Sequence, residues 1–425
     1  MTAALLTDRY ELTMLGSALR EDTAQRRCVF EVFSRRLPEG RRYGVVAGTA
    51  RLLDTIADFT FDTDTVAWLR AAGVVDATTA EYLASYRFGG DIDGYPEGEL
   101  FFPYSPILTV TGTFAEAVVL ETVALSVLNH DCAVAAAAAR MVTAAAGRPI
   151  IEMGSRRTHE QAAIACARAA YLAGFASTSN LAASERYGVP SAGTAAHSFT
   201  LLHDDERAAF AAQVAALGPS TTLLVDTFDI TRGIELAVEV AGTSLGGIRI
   251  DSGDLGVLAR QARAQLDDLG ATHTRILVSG DLDEYSIASL AAVPVDVYGA
   301  GTAVVTGSGA PTAELVYKLV EVDGRPVAKR SEHKASHGGR KTALRAHKAT
   351  GTAVEEIVVS GAVPDPGVGE RFMQRPLMRT GAPVDDLPSL ADSRAHLRAA
   401  TISLPWDGLK LSRGEPAIPT RLVSA

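Results

Sequence analysis

The sequence is poor in the residues that would mark several large classes of protein. Its three cysteines, Cys28, Cys132 and Cys166, are widely separated and odd in number. They therefore form neither a disulfide framework nor a zinc-ligand spacing. The histidines also lack the spacing of a metal-binding cluster. We expect buried structural thiols and no metal bound by the protein itself.

Positive charge is in deficit. The 40 Lys and Arg residues face 50 Asp and Glu residues, which gives a formal net charge of -10. Such a chain has no broad basic field to hold a nucleic acid backbone, so we expect no nucleic acid partner. Any anionic ligand must be bound by a few groups placed close to it.

Long apolar runs are missing as well. The run from Cys132 to Ala139 is far shorter than the ~20 residues of a membrane span. The opening MTAALLTDRYELTML has no basic leader, and Asp8, Arg9 and Glu11 interrupt its apolar residues. We therefore expect no membrane segment, no secretory signal and a cytoplasmic location.

What the sequence does contain is a repeated pattern between about Arg148 and Thr302. A short β-branched or apolar run ends in Gly, Ser, Asp or Thr, and an Ala-rich amphipathic stretch usually follows. Seven such runs occur: RPIIEMGSRR, GFASTSN, GVPSAGTAAHS, TTLLVDTFD, GGIRIDSGD, TRILVSGDLD and PVDVYGAGT. The pattern predicts a parallel sheet with crossover helices. Seven strands favour an irregular α/β barrel, with an open doubly wound sheet as the alternative.

The flanks of this region read as antiparallel strands, at residues 28–33, 107–113 and 315–329. The last of these is a hairpin turned at Asp323-Gly324. Because such strands lie on both sides of the barrel region, we predict a second α/β sandwich domain built from both ends of the chain. The expected boundaries are 1–115 and 313–425 for the sandwich, with a short helix at RAHLRAA, and 116–312 for the barrel.

Polar residues follow the predicted barrel strands. In a parallel α/β barrel the chemistry collects at the carboxyl ends of the strands. Reading those ends together gives Glu152, Ser155, Arg156, Thr194, His197, Asp226, Asp229, Arg249, Asp251, Asp254, Gly280, Asp281, Gly299, Gly301 and Thr302. Arginines, carboxylates, one imidazole and glycine backbone are typical of a site that binds phosphates and an organic anion.

Two of these strand ends suggest specific contacts. In YGAGT, the backbone around Gly301 and the hydroxyl of Thr302 can meet a phosphate, although glycines there more often serve tight turns. In GIRIDSGDL, Arg249 can hold a planar carboxylate with paired N–H groups. Asp251 and Asp254 can accept from sugar hydroxyls or face Mg2+ carried by phosphates, or Asp254 can cap the following helix.

His197 lies in the small-residue loop SAGTAAHSF. A lone histidine is more often a hydrogen-bonded structural residue. Here, however, Asp226 or Asp229 at the next strand end can orient its ring, and phosphate-suited loops lie nearby. An imidazole oriented in this way can act as a general base or as a nucleophile toward a phosphoryl group, and spacing alone leaves both open.

Taken together, the motifs resemble those of nicotinate phosphoribosyltransferases of the bacterial type. They are TDRYELTM, EVFSRRLP, EMGSRR, SAGTAAHSF, LVDTFD, IRIDSGDL, GAGTAVVTGSGAPTAELVYKLVE and VAKRSEHKASHGGRK, in this order and over nearly the whole chain. The resemblance implies an irregular α/β barrel with an α/β sandwich domain. It also implies that nicotinate and phosphoribosyl pyrophosphate give nicotinate mononucleotide and pyrophosphate in NAD salvage, coupled to ATP hydrolysis, with Mg2+ accompanying the phosphates.

The resemblance further implies roles for single residues. His197 would be phosphorylated by ATP, with Asp226 as its candidate partner. Nicotinate would contact Tyr10 by ring stacking, together with Thr194 and Arg249. The N-terminal segment that carries Tyr10 would complete the site of a neighbouring subunit, so a homodimer is expected.

The remaining implied roles concern the phosphoribosyl groups. Arg156 would lie near the product phosphate or the nicotinate carboxylate, and Asp251 near the ribose hydroxyls. The groups that would hold the phosphoribosyl moiety are Gly280, Asp281, Gly301 and Thr302. Lys329 and Lys334 are weaker candidates for phosphate contacts, since exposed surface lysines are the alternative.

Rival functions are of three kinds. A nicotinamide phosphoribosyltransferase would share the fold and the phosphohistidine, and the Arg249 guanidinium could also hold a carbonyl oxygen. A quinolinate phosphoribosyltransferase has no use for the histidine motif. A non-catalytic protein that binds phosphoribosyl ligands belongs to a different class, and it would gain little from His197 beside Asp226.

Overall fold

The computed structural model describes residues 3–329, 337–363 and 365–424. The chain forms two compact units, one from Met1–Ala136 with Ala310–Ala425 and the other from Ala137–Gly309. The sequence-based boundaries were drawn at residues 115 and 312. The first division between the two compact units falls inside the long helix Glu121–Ala145.

The unit of residues 137–309 is built on a six-stranded parallel sheet. Its strands, in spatial order, are Ser177–Thr178, Ile150–Glu152, Val297–Ala300, Arg275–Val278, Gly247–Ile250 and Thr222–Leu224. The first strand in the chain, Ile150–Glu152, pairs with the last, Val297–Ala300. Such pairing of first with last is the topology of a barrel, and the sheet forms a curled half-barrel. The predicted α/β barrel class is confirmed, and the doubly wound alternative is not.

One predicted barrel strand is wrong. GVPSAGTAAHS forms no strand and contributes a single bridge, between Ser191 and Thr178. Proline has no N–H for a sheet ladder, so Pro190 cannot donate to one, and the small residues after it have low β-propensity. The ladder is therefore interrupted between Ser177–Thr178 and Thr222–Leu224, and the segment that leads to His197 is a loop.

Helices follow the strands of this unit, as the pattern predicted. They are Glu160–Ala173, Leu181–Tyr187, His197–Leu202, Glu206–Leu217, Ile230–Ala241, Leu255–Asp268, Glu284–Ser289 and Thr302–Val305. Several begin at a side chain that accepts from the first turn, including Asn180, Asp205, Asp229, Asp254 and Asp283. These caps fix where each loop at the strand ends stops.

The other unit contains three sheets. A seven-stranded antiparallel sheet has the order Arg325–Pro326, Leu315–Val322, Arg27–Ser34, Leu108–Thr113, Asp91–Gly94, Arg375–Arg379 and Ala382–Pro383. A four-stranded sheet has the order Glu370–Phe372, Lys341–His347, Ala353–Ser360 and Thr420–Ser424, and a pair joins Gly44–Val45 to Leu100–Phe101. The predicted strands at 28–33 and 107–113 and the hairpin at Asp323-Gly324 are all present.

Helices cover these sheets. They are Arg9–Arg20, Thr49–Ala57, Thr63–Ala71, Ala77–Ala84, Phe114–Val118 and Leu390–Ile402, with short 3-10 helices at Ala3–Leu6 and Trp406–Leu409. Their apolar faces bury one core with the seven-stranded sheet, in which Phe30 stacks on Tyr317 with ring centroids 4.9 Å apart. The short helix predicted at RAHLRAA is the second half of Leu390–Ile402.

Buried charges also hold this unit together. Arg345, which is 1% exposed, donates to Glu99 at 2.6 Å and to Glu356 at 2.8 Å. Glu99 also accepts from Arg371 at 2.7 Å, and its Oε2 lies 2.8 Å from His396 Nε2. Burial alone would raise the pKa of Glu99, but the His396 contact and the charges of Arg345 and Arg371 outweigh it and lower the pKa. Removal of one partner would leave uncompensated charge in the core.

The helix Glu121–Ala145 is the one helix among the described residues that is long and apolar enough to cross a membrane. The shorter run Cys132–Ala139, on which the expectation of no membrane segment rested, lies within this helix. Of the most apolar window of this helix, 67% is buried inside the protein. The helix also carries Asp131, paired with Arg51 at 2.7 Å, and Arg140, paired with Glu284 at 3.0 Å. These features are those of a core helix.

The three cysteines are free and buried, as predicted. Burial is the main cause that raises the pKa of Cys28 to about 11 and raises that of Cys132 further. At neutral pH these two side chains are thiols and act as small apolar groups.

Candidate active site

A cavity of about 270 Å³ opens at the carboxyl end of the half-barrel sheet. Five residues chosen from the sequence line it: Arg156, Thr194, His197, Arg249 and Asp251. Met153, Ser179 and Leu224 complete much of its wall. The structure therefore brings the proposed nicotinate contacts of the barrel and the candidate phospho-acceptor into one pocket.

Arg249 is held in position by three side chains. Its Nε donates to Ser279 Oγ at 2.8 Å, Nη1 to Thr194 Oγ1 at 3.1 Å and Nη2 to Asp251 Oδ1 at 2.8 Å. Each terminal nitrogen carries a second N–H that none of these contacts uses. A guanidinium fixed in this way can offer two parallel N–H groups to a carboxylate in the cavity.

Asp251 is anchored from one side. Its Oδ1 accepts from both Arg249 and Ser279. Burial alone would raise the pKa of Asp251, but the hydrogen bonds from Ser279 and Arg249 and the charge of Arg249 lower it below its ordinary value. The second oxygen, Oδ2, accepts from no described residue, so an ionised oxygen is available to a ligand hydroxyl.

His197 is the first residue of helix His197–Leu202. Its Nδ1 lies 3.1 Å from Thr227 Oγ1, and its Nε2 lies 3.9 Å from Asp226 Oδ1. The imidazole is 43% exposed, whereas the Asp226 side chain is 1% exposed. A ligand can therefore reach the ring, while its carboxylate neighbour is shielded from water.

Asp226 is held by one oxygen and free at the other. Its Oδ2 accepts from the Asp251 N–H at 2.8 Å and from Ser252 Oγ at 2.9 Å. Its Oδ1 is buried and has no hydrogen-bond partner among the described residues. A buried acceptor without a donor is costly, and this one faces His197 Nε2.

Asp229 has a different task. Its Oδ1 accepts from the Arg232 N–H at 2.8 Å and caps helix Ile230–Ala241. The choice between Asp226 and Asp229, which the sequence left open, therefore falls on Asp226 as the carboxylate that faces the imidazole. Asp254 follows its capping alternative, since its Oδ1 accepts from Val257 N–H at 3.1 Å.

The residues predicted to contact the phosphoribosyl groups form two sets: two of them line a second cavity, and the other two are glycines where backbones approach closely. Asp281 and Thr302 line a second cavity of about 510 Å³ together with Arg157 and Tyr285, and Thr302 Oγ1 donates to Asp281 Oδ1 at 3.2 Å. Asp281 adopts a left-handed backbone conformation with φ 49°, which is uncommon for a residue with a side chain. Such strain is typical of functional loops.

Gly280 and Gly301 lie at points of close backbone approach. At Gly280, φ is 116° and an added Cβ would lie 2.6 Å from the carbonyl oxygen of Asp251. At Gly301, a Cβ would lie 3.2 Å from the carbonyl oxygen of Met153. At Gly280 in particular, glycine is required by the fold itself, which is the turn alternative given above.

Tyr10 belongs to the other unit, where it lies on helix Arg9–Arg20 and is 45% exposed. Partial burial, with the charges of Glu121 and Glu11, raises the pKa of Tyr10 to about 12. Its phenol is therefore neutral at physiological pH and presents an open ring. Lys329 is exposed in the same unit, and Lys334 lies outside the described residues.

Sequence reasoning missed three side chains that organise the cavity. Thr227 contacts the imidazole, Ser279 joins Arg249 to Asp251, and Ser252 holds Asp226. Each follows a barrel strand directly or within three residues, so the rule that selected the other residues could have found them. The described residues contain no group of three or more His, Cys, Asp or Glu side chains arranged to hold a metal ion.

Comparison with known proteins agrees with this geometry. A family model described as nicotinate phosphoribosyltransferase (NAPRTase) N-terminal domain matches residues 5–129, and the nicotinate phosphoribosyltransferase (NAPRTase) family model matches residues 149–355. The chain is 63% identical over 433 residues to nicotinate phosphoribosyltransferase pncB1 of Mycobacterium tuberculosis, covering 100% of this chain and 96% of the relative.

More distant relatives point the same way. Nicotinate phosphoribosyltransferase of Bacillus subtilis is 36% identical over 335 residues, covering 76% of this chain and 68% of the relative. The crystal structure of human nicotinic acid phosphoribosyltransferase superposes with a TM-score of 0.84 at 27% identity, covering 98% of this chain and 97% of that one. On the family models and on relatives of this identity and coverage, the chain belongs to the nicotinate phosphoribosyltransferase family of enzymes.

Proposed function

We propose that the half-barrel cavity joins nicotinate to the phosphoribosyl group of phosphoribosyl pyrophosphate, and that a phosphorylated His197 couples this reaction to ATP hydrolysis. The products are nicotinate mononucleotide and pyrophosphate, a step of NAD salvage. The observation that supports this best is the buried, unpartnered Oδ1 of Asp226 facing His197 beside a cavity that presents Arg249.

In the transfer step, the ring nitrogen of nicotinate forms a bond to the anomeric carbon of the ribose. The bond from that carbon to pyrophosphate breaks, and pyrophosphate leaves with the electron pair. The protein supplies no nucleophile here, so its work is alignment and charge stabilisation. The spare N–H groups of Arg249 suit the nicotinate carboxylate, and the free oxygen of Asp251 suits a ribose hydroxyl.

In the phosphorylation step, the negative charge of Asp226 favours the imidazole tautomer that carries its proton on Nε2. Nδ1 then holds a lone pair, which accepts from the Thr227 hydroxyl in the resting site. Nδ1 attacks the γ-phosphorus of ATP, the bond to the bridging oxygen breaks, and ADP leaves with the electron pair. Water later cleaves the N–P bond, releasing phosphate and restoring His197.

We propose that ATP enters as its Mg2+ complex. The ion prefers carboxylate and hydroxyl oxygens and usually keeps phosphate and water ligands as well. Asp281 and Thr302 offer such oxygens at the wall of the second cavity, 3.2 Å apart. The ion arrives with the phosphates, so no complete protein cage is required.

We further propose that the active form is a homodimer in the cytoplasm. Several large apolar side chains of the half-barrel unit are more than half exposed, among them Leu181, Leu201, Leu202, Leu217 and Phe228. A second copy of the chain would cover such residues, and its N-terminal helix would bring the open ring of Tyr10. The free thiols suit a reducing compartment.

The test is product formation by purified protein with phosphoribosyl pyrophosphate and either nicotinate or nicotinamide, with and without MgATP. We expect nicotinate mononucleotide, in a yield that rises with MgATP, and acid-labile phosphate from ATP on the protein but not on His197→Ala. A nicotinamide product would overturn the role of Arg249. Absence of product with both bases would favour a protein that binds phosphoribosyl ligands without turnover.

The dimer has its own test. Two inactive variants, Tyr10→Ala and His197→Ala, are mixed under conditions that exchange subunits. If each site takes Tyr10 from one copy and His197 from the other, about a quarter of the wild-type activity returns, since half of the dimers are mixed and each has one intact site. No recovery would place both residues in one chain's site.

A further inference from the structure

Glu206 is a buried carboxyl group that the proposed reaction does not use. It begins helix Glu206–Leu217, directly after the capping residue Asp205. Glutamates in the first turn of a helix are usually exposed, but this one is 6% exposed. Its Oε1 is buried and has no hydrogen-bond partner among the described residues.

The groups around Glu206 that bear on its ionisation are negative. Burial is the largest influence, and the carboxylates of Asp226 and Asp229 add to it, which together raise the pKa of Glu206 to about 7. On its own helix, the neighbouring Arg207 is paired with Glu239. Among the described residues, no arginine or lysine therefore compensates a charge on Glu206.

The remaining titratable groups come from the two helices packed against this one. Helix Ile230–Ala241 contributes Arg232, which pairs with Glu235 at 2.7 Å and lies 3.7 Å from Glu239. Helix His197–Leu202 contributes His197 and is followed by His203, whose Nδ1 contacts the Phe199 carbonyl at 2.8 Å. The carboxylate of Asp226, which interacts with Glu206 and lies 3.9 Å from His197 Nε2, is thus the functional group whose environment a charge on Glu206 would change.

The same neighbourhood contains the unpartnered Oδ1 of Asp226. Two buried carboxyl oxygens without donors, on side chains that influence each other, are most stable when the pair carries one proton and one negative charge. Asp226 Oδ2 accepts from the Asp251 N–H and Ser252 Oγ, whereas Glu206 Oε1 accepts from no described residue. The proton therefore belongs on Glu206.

We propose that Glu206 is a positioning residue for the phospho-acceptor histidine, a neutral carboxylic acid that leaves Asp226 as the single negative charge directing the imidazole. This inference rests on the proposed phosphorylation of His197. When Glu206 loses its proton, a second negative charge appears beside Asp226, the carboxylate next to the ring. That charge opposes the approach of the γ-phosphate of ATP and the build-up of a phosphoryl group on His197.

The consequence is a pH dependence with a defined direction. Glu206 is neutral below its own pKa and ionises above it, so phosphorylation of His197 declines as the pH rises beyond neutrality. In wild-type protein we expect the single-turnover rate of phosphorylation by MgATP to fall about tenfold between pH 6.5 and 8.5.

The variant Glu206→Gln tests this, because glutamine has the shape of the protonated acid and never ionises. We expect its rate at pH 6.5 to match the wild type within about threefold and its decline to pH 8.5 to be about threefold or less. Glu206→Leu, also neutral, is the second variant if the glutamine protein is unstable. Glu185→Gln is the matched control, since Glu185 is exposed on helix Leu181–Tyr187 of the same unit.

An infrared difference spectrum gives a readout that a merely structural role would not change. A protonated carboxyl band should disappear as the pH is raised through neutrality in wild type and in Glu185→Gln, and it should be missing in Glu206→Gln. An alkaline decline unchanged in both neutral variants would overturn the inference. If the wild type takes no phosphate from ATP at any pH, the proposed function of His197 fails, and the role of Glu206 fails with it.

Discussion

Asp226→Asn is the substitution that most directly tests the assignment of the imidazole partner. The amide keeps an oxygen to accept from the Asp251 N–H and Ser252 Oγ, but its NH2 group then faces His197 Nε2. The charge is lost, and the favoured tautomer moves the proton to Nδ1, which is the wrong nitrogen for attack.

The size of the effect follows from the geometry. The imidazole ring gains positive charge as Nδ1 bonds to phosphorus, and a unit charge there would interact with the Asp226 carboxylate 3.9 Å away by about 4 kcal/mol at an effective dielectric constant of ~20. Because the imidazole is 43% exposed, solvent screening lowers this to about 2 kcal/mol. Since every 1.4 kcal/mol or so is a factor of ten in rate, we expect phosphorylation to slow by about 30-fold at least, and by up to about 1000-fold if the closed site excludes water.

The assay is single-turnover transfer of labelled γ-phosphate from ATP to the protein, quenched in base and counted as acid-labile phosphate. Asp229→Asn is the control on the next aspartate of the same loop. It weakens a helix cap, so it should lower the free energy of unfolding by about 1 kcal/mol or less and leave the phosphorylation rate within about threefold. A wild-type rate in Asp226→Asn, or a larger loss in Asp229→Asn, would refute the assignment.

Three further predictions concern the cavity and the core. Arg249→Lys keeps the charge but loses the paired N–H groups, so KM for nicotinate should rise about 30-fold in initial-rate kinetics while KM for phosphoribosyl pyrophosphate changes little. Gly280→Ala places a methyl group 2.6 Å from the Asp251 carbonyl oxygen at a φ of 116°, so we expect it to lower both the thermal stability and the activity. Gly242→Ala is the control: at φ 75° with open space around the Cβ, it should lower the free energy of unfolding by only about 1 kcal/mol. The pKa of Glu99 is lower in the folded state, so the stability that its ionised form contributes is complete above the ordinary pKa of about 4.3 and is lost as the pH falls through the folded-state pKa. Glu99→Gln should therefore lower the free energy of unfolding by about 3–5 kcal/mol at neutral pH. It should also flatten the acid side of the plot of unfolding free energy, measured with urea, against pH.

The strand-end rule explains why much of the cavity could be predicted from the sequence. Arg249 and Asp251 bracket the last residue of a buried strand, so their side chains must emerge at its carboxyl end. The parallel sheet then brings them beside residues from other strand ends without any further information. The predictions for Arg249, Asp251 and His197 needed only the order of strands and loops.

Other features depended on contacts that spacing does not encode. Asp226 and Asp229 follow the same strand three residues apart. Only the start of helix Ile230–Ala241 decides which of the two side chains caps that helix. A capping pattern was readable there, since Asp229 stands directly before an amphipathic run. Glu206 gave no such signal, because a glutamate after two aspartates resembles an ordinary exposed helix start.

One of the seven predicted strands failed for a local reason. The run GVPSAGTAAHS ends in the polar residues expected of a barrel loop, and it occupies the right place in the repeat. Its proline and small residues nevertheless reduce it to one bridge at Ser191. The repeating pattern along the chain identified this segment as a candidate strand, but its proline and small residues decided that it does not pair as one.

The antiparallel pairing of Arg27–Ser34 with Leu315–Val322 has a consequence for how the protein is made. Ser34 lies opposite Leu315, so the ribosome must add about 280 residues before the partner strand exists. The last strand of the intervening parallel unit, Val297–Ala300, is complete before that partner strand begins. During synthesis the half-barrel can therefore fold first. Until Leu315–Val322 is made, the strand Arg27–Ser34 can pair with Leu108–Thr113 along one edge, and its other edge has no partner strand. Truncation before residue 315 should thus yield a chain that aggregates through that edge, even though its catalytic half is complete.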